Sequence, residues 1–144
     1  MVDANVFVAA VKPFTKRQRP RKVPGSLSLL LRLITDEELE LYASRALLDE
    51  YRQLARELKS DTATLILGQL SAKAHEAADV KAEIETCRPY IPEKEAADIH
   101  HAAAAHQSTS VLISNDKDFD RIRDAGMIEV WSISEALRKL SLSI

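Results

Sequence analysis

The sequence predicts an α/β fold built around a parallel sheet. Short apolar, β-rich runs alternate with amphipathic helical stretches, the pattern of strands joined by helical crossovers. Helix-start signals follow several of those runs directly. The 144 residues, 46% of them hydrophobic, suffice for a core of one domain spanning residues 1–144.

In chain order, Val2 to Val8 is apolar and β-branched, interrupted by Asn5, and predicts a buried strand. Lys12 to Gly25 holds Pro13, Pro20, Pro24 and Gly25 and predicts a loop. Ser26 is placed to cap a helix to about Ile34, and Leu39 to Ala43 predicts a second short strand. Ser44 is a good N-cap for a helix carrying Leu47, Leu48, Tyr51, Leu54, Ala55 and Leu58 at helical spacing. Asp61 or Thr62 caps the next, with Leu65, Ile66, Leu70 and Ala74, and a polar helical stretch continues to Cys87. Pro89 and Pro92 break the chain. Pro92 then opens an Ala-rich helix from Glu93 to about His106. Ser110 to Ser114, with Val111, Leu112 and Ile113, predicts a short buried strand, and the acidic turn Asn115 to Asp118 follows. A short helix from Phe119 ends near Gly126, a natural C-cap. Ile128 to Trp131 is the last strand, and Ser134 caps a final helix with Ala136, Leu137 and Leu140. Phe119 and Trp131 are expected in the core. There is no internal repeat or low-complexity segment.

Composition narrows the function classes. No apolar run approaches the ~18 residues needed to span a bilayer, and the N-terminus lacks the basic region and cleavage site of a secretory signal. Cys87 is the only cysteine, which excludes an internal disulfide and a thiolate zinc cluster. A cytoplasmic protein is the expectation. The net charge of −2 conceals an asymmetry: residues 1–35 carry a net +6, from Lys12, Lys16, Arg17, Arg19, Arg21, Lys22 and Arg32 against Asp3, and the remainder carries −8. Charge alone leaves two readings open, a polyanion-binding arm or a solvated loop.

Sites in parallel α/β sheets form at the carboxyl ends of the strands. Asp3 and Asn5 lie on the first predicted strand, near the loop it feeds, and Asp116 and Asp118 follow Val111–Ser114 directly. Two helix-borne acids can join them: Glu50, which interrupts the apolar positions around Leu47, Leu48 and Tyr51, and Asp98, on an otherwise Ala-rich face with Ala102 and Ala105. Two like charges ~4 Å apart cost about 4 kcal/mol at an effective dielectric near 20, so convergent carboxylates require protons or a cation. All-oxygen ligands suit Mg²⁺ or Mn²⁺.

Competing readings are weaker. Asp49 points about 100° away from Glu50 and is expected in solvent. His101, three residues after Asp98, has a possible ligand spacing, but His100, His101 and His106 are expected to be half-exposed packing residues and His75 a surface one. Asp116, Asp118 and Asp120 mimic the start of an EF-hand, yet its required Gly and Glu are here Arg121 and Met127. Asp3-Ala4-Asn5 is a poor match to haloacid-dehalogenase-type phosphatases, because Asn5 has no proton to give as their second acid does. Three glycines supply no P-loop.

Four segments together resemble the PIN-domain family. Val2-Asp3-Ala4-Asn5-Val6-Phe7-Val8 is similar to its opening. Ser44-Arg45-Ala46-Leu47-Leu48-Asp49-Glu50-Tyr51 is similar to its Ser-capped helix delivering a Glu. Asp98-Ile99-His100-His101-Ala102-Ala103-Ala104-Ala105 resembles its Asp heading an Ala-rich helix, and Leu112-Ile113-Ser114-Asn115-Asp116-Lys117-Asp118-Phe119 its last acidic strand end, with Ser114 where Thr is commoner. They occur in the family's order across nearly the whole chain. The resemblance implies a three-layer α/β/α sandwich and a Mg²⁺- or Mn²⁺-dependent endoribonuclease. Asp3, Glu50, Asp98 and Asp116 then form the catalytic, metal-holding quartet, with Asp118 a further metal contributor and Asn5 and Ser114 supporting polar residues. Many relatives are VapC-like toxins of toxin–antitoxin pairs, and many form homodimers. RNA is the implied partner, with Lys12, Lys16, Arg17, Arg19, Arg21 and Lys22 as candidate phosphate contacts. The alternative is a non-catalytic PIN-like module for RNA binding or assembly.

Overall fold

Asp3 decides how the chain begins. Val2 makes a single parallel bridge with Ile113. Asp3 follows with φ −66° and ψ 152°, and its carboxylate accepts a 2.8 Å hydrogen bond from the Ala4 N–H, opening helix α1 (Ala4–Val11). The strand expected over Val2 to Val8 is therefore corrected to one bridging residue and a helix. Buried Val6, Phe7, Ala10 and Val11 share one helical face. A short apolar run does not separate strand from buried helix by periodicity, and the cap settles it. Asn5 accordingly lies on α1.

The computed structural model describes residues 1–14, 23–78, 81–92 and 96–141. A 3₁₀ turn covers Lys12–Phe14, so the predicted loop is replaced there by a turn, and most of its basic middle lies outside the described residues. Helix α2 (Gly25–Thr35) starts after Pro24, and Ser26 is buried in its first turn instead of capping it. Gly25 permits a close helix approach, since a Cβ there would sit 3.1 Å from Leu137 Cδ1.

Strand β1 (Tyr42–Ser44) forms later than the Leu39–Ala43 run suggested, and pairs in parallel with β2 (His75–Ala77), Tyr42 opposite His75 and Ser44 opposite Ala77. The sequence reading missed β2 by continuing a helix to Cys87. His75 and Glu76 are exposed and only Ala77 is buried, so no alternation marked the strand. Helix α3 (Arg45–Leu58) is capped as expected: Ser44 Oγ accepts from Leu47 N–H at 3.1 Å. Helix α4 (Asp61–Lys73) is capped by Ser60, one residue before the expected Asp61. Helix α5 (Lys81–Cys87) follows β2.

Helix α6 (Ala96–Ser108) buries Ala102, Ala103, Ala104 and Ala105 completely. These small side chains let it lie close to α3, α5, β1 and β2. Strand β3 (Leu112–Ile113) pairs in parallel with β4 (Val130–Trp131). Helix α7 (Asp120–Asp124) lies between them, and Gly126 adopts φ 72° beyond its end. Helix α8 (Ile133–Ser141) begins beside Ser132, which accepts from the Glu135 N–H at 3.1 Å in place of the expected Ser134. Phe119 is fully buried, whereas Trp131 is half-buried at the sheet edge, donating to Glu129 at 2.9 Å with Lys139 over its ring. No helix among the described residues is long and apolar enough to cross a membrane.

Candidate functional site

The carboxyl end of β3 gathers the acids. Asp3 is fixed there by its backbone, whose N–H donates to the Ile113 carbonyl at 2.9 Å. Ser114 directly follows β3 and is buried. Its Oγ donates to Asp3 Oδ2 at 2.7 Å and accepts from the Asp116 N–H at 3.0 Å. One hydroxyl thus ties the first and last acidic segments, 111 residues apart. Asp116 Oδ1 in turn accepts from the Asp118 N–H at 2.9 Å, capping the 3₁₀ turn Lys117–Phe119.

Asp98 stands in the first turn of α6, where the helix dipole favours negative charge, and is buried. It is shared by two groups of potential ligand atoms, each mutually within 4.8 Å: Asp3, Asp98 and His101, and Asp98, Asp116 and Asp118. Glu50, two turns into α3, falls outside both groups. Its side chain is 39% exposed, and it meets the site through His101, whose Nε2 lies 2.8 Å from Glu50 Oε2.

His101 is the residue the sequence reading undervalued. Its side chain is only 1% exposed, whereas a half-exposed packing role was expected. The available signal was its position three residues after Asp98, which puts both on one helical face. Of the other histidines, His106 pairs with Glu83, and His75 is exposed beside Tyr42. Asp49 points to solvent as expected and pairs with Arg52 at 2.8 Å. Asn5 is exposed on α1, and no hydrogen bond described ties it to the acids. Lys12 is exposed in its turn; Lys16, Arg17, Arg19, Arg21 and Lys22 lie outside the described residues.

The electrostatics are those of carboxylates held together at a cost. Burial raises the Asp3 carboxyl above its usual range despite the opposing hydrogen bond from Ser114. Asp118 is raised by desolvation and by the charge of Asp116. For His101, burial pulls downward, but the hydrogen bond and charge of Glu50 and the charges of Asp3 and Asp98 outweigh it, and the net shift is upward. Tyr51 is pushed well above the ordinary phenol range, by burial first and then by Asp3 and Glu50, and its hydroxyl donates to the Val2 carbonyl.

These donors fit a divalent cation. They offer the carboxylate oxygens of Asp3, Asp98, Asp116 and Asp118 at ligand spacing, with the His101 ring beside those of Asp3 and Asp98. Hard oxygens suit Mg²⁺ or Mn²⁺, and a neighbouring imidazole is compatible with the latter. A cavity of about 680 Å³ opens elsewhere, between Thr109, Met127, Trp131 and Lys139. None of the acids lines it, so it is not the seat of this chemistry.

Comparison with curated proteins returns no match. The family model described as PIN domain matches residues 1–118, a span that holds every acid of the site. PIN domains are three-layer α/β/α folds, in keeping with the helices and parallel strands found here, and are typically nucleases that use divalent metals. The family match and the folded arrangement agree, and this chain belongs to the PIN-domain family.

Proposed function

We propose that the protein is a metal-dependent endoribonuclease that hydrolyses RNA phosphodiester bonds. The observation that carries this reading is the convergence of Asp3, Asp98, Asp116 and Asp118 at the carboxyl end of β3, locked by Ser114.

Asp3, Glu50, Asp98 and Asp116, the catalytic quartet, would hold the cation, Mg²⁺ or Mn²⁺, with Asp118 as a further contributor. When bound, such an ion ligates a phosphate oxygen, lowers the pKa of a bound water and offsets developing negative charge. The chain's own contribution is placement. Ser114 orients Asp3 and the Asp116 backbone together. The backbone bond from Asp3 to Ile113 fixes the first acid to the sheet. Glu50, its side chain 39% exposed, reaches solvent and would orient the attacking molecule. Lys12, Lys16, Arg17, Arg19, Arg21 and Lys22 supply the countercharge for the rest of the RNA backbone. We read the chain as one nuclease unit over residues 1–144, cytoplasmic, homodimeric, and the toxin of a toxin–antitoxin pair; an adjacent gene for a small DNA-binding partner is the check on that last role.

The test is cleavage of a mixed-structure RNA panel by wild type and Asp3→Asn with Mn²⁺, Mg²⁺ or EDTA. Metal-dependent cutting that disappears in Asp3→Asn is the expected result. A folded wild type that neither binds metal nor cuts would favour the non-catalytic RNA-binding or assembly module.

A further inference from the structure

We propose that His101 is a positioning residue of this site, its buried imidazole tethering the Glu50 carboxylate at the edge of the group formed by Asp3 and Asp98. The inference rests on the reading of the acids as a cation site and assigns a role to a side chain outside the quartet.

Glu50 is the loosest member of that quartet. It projects from α3 with its side chain 39% exposed, belongs to neither close group of ligand atoms, and has no bond to Ser114. A glutamate in that position has several free torsions and would sample solvent unless something held it. His101 holds it, with Nε2 2.8 Å from Glu50 Oε2. The imidazole is itself immobile, 1% exposed on α6, one turn after Asp98 and with a ring nitrogen within 4.8 Å of ligand oxygens of Asp3 and Asp98. One rigid helix therefore presents both an acid of the site and the donor that holds the acid arriving from α3.

The chemistry of the ring argues against a packing role. When Nε2–H donates to Glu50, the other nitrogen is left in the interior, and Nδ1 has no hydrogen-bond partner among the described residues. Burying a polar atom without a partner is unfavourable. A leucine of similar bulk would fill the same space without that cost. Donors that orient acidic or imidazole ligands from behind change metal affinity about 10- to 100-fold when removed.

The experiment is Mn²⁺ titration calorimetry on the metal-free full chain at fixed pH. The proteins compared are wild type, His101→Leu, Glu50→Gln and the double variant, with circular dichroism as the check on folding. The expected result is an affinity loss of about tenfold or more for His101→Leu, shrinking to less than about twofold once Glu50 is already Gln, the non-additivity of residues acting through one another. His101→Gln, which restores an N–H donor, should recover much of the loss. Should His101→Leu not fold, the cycle is run with His101→Asn, whose amide is too short to reach Glu50. Equal losses in both Glu50 backgrounds, or no loss at all, overturn the inference. Nitrogen coupling to bound Mn²⁺ in electron spin-echo spectra, lost with His101, would make His101 a ligand and also overturn it. A wild type that binds no Mn²⁺ is a separate outcome, since it removes the cation site itself and the inference with it.

Discussion

Asp3→Asn should stabilise the metal-free protein while removing its response to metal. Asp3 is 5% exposed, and its ligand oxygen lies within 4.8 Å of those of Asp98 and His101. At an effective dielectric near 20, two unit charges at that spacing repel by about 3–4 kcal/mol. Burial is the first cost on the Asp3 charge, and attraction to a protonated His101 outweighs the repulsion from Glu50. Asparagine is as good an N-cap as aspartate, so its oxygen keeps the bond from Ala4 N–H, while its amide nitrogen takes the place of Oδ2 and donates to Ser114 Oγ, which no longer donates there. A net gain of about 1–3 kcal/mol remains, or roughly 3–10 °C in Tm for a chain of this size.

The pH dependence carries its own sign. Asp3 and Asp118 have folded pKa values raised above 3.8, so the folded chain binds those protons more tightly than the unfolded chain. Their contribution to stability is fully present below about 3.8 and lost as pH rises through the raised values. His101, raised above 6.5, likewise stabilises below 6.5 and loses that contribution as pH rises through its folded value. The metal-free wild type should therefore weaken from acid toward neutral pH, and the advantage of Asp3→Asn should be large at pH 7.5 and shrink toward pH 4. The assay is a set of thermal melts in EDTA and in saturating Mn²⁺. Metal at 100 times Kd stabilises wild type by about 2.7 kcal/mol, which should reverse the order of melting. An Asp3→Asn protein that melts below wild type in EDTA at pH 7.5 refutes the reasoning, because the buried Asp3 charge would then not be a cost.

Three further outcomes follow from the same geometry. Ser114→Ala removes the bonds to Asp3 and to the Asp116 N–H; it should cost about 2–3 kcal/mol in urea unfolding and weaken Mn²⁺ binding measured by calorimetry. Ser44→Ala removes the cap on Leu47 and should cost about 1 kcal/mol in the same unfolding assay. Changing Lys16, Arg17, Arg19 and Arg21 to Ala should weaken single-stranded RNA binding and reduce the salt slope by ~0.7 for each phosphate that is no longer neutralised; an unchanged slope in filter binding would assign the arm another role.

Signals confined to one helical turn or one strand end were legible in the sequence. Ser44 as cap, the Ala-rich α6 headed by Asp98, the acidic turn after β3 and the positive φ of Gly126 each depend on neighbours a few residues away. The α/β class follows from their alternation, and the acids of the family's motifs could be named because each motif is local. The opening strand failed for a related reason: Val2 to Val8 is apolar under either reading, and only the capping bond at Asp3 turns it into a helix.

What the tertiary structure decided involves partners far apart in the chain. β2 exists because Leu41 and β1 offer it a parallel neighbour, with the His75 N–H bonded to the Leu41 carbonyl, and three residues of mostly exposed side chains carry no such information themselves. Ser114 becomes the link between the first and last acids only when the Val2–Ile113 bridge brings the chain's start beside β3. His101 reads as a half-exposed packing residue on its own helix; it is buried because α3 crosses α6 and delivers Glu50 from 51 residues away. The sequence by itself determined which chemical groups are present and the short elements that carry them. Their distances, their burial and hence their electrostatics arise from long-range packing, which no local pattern encodes.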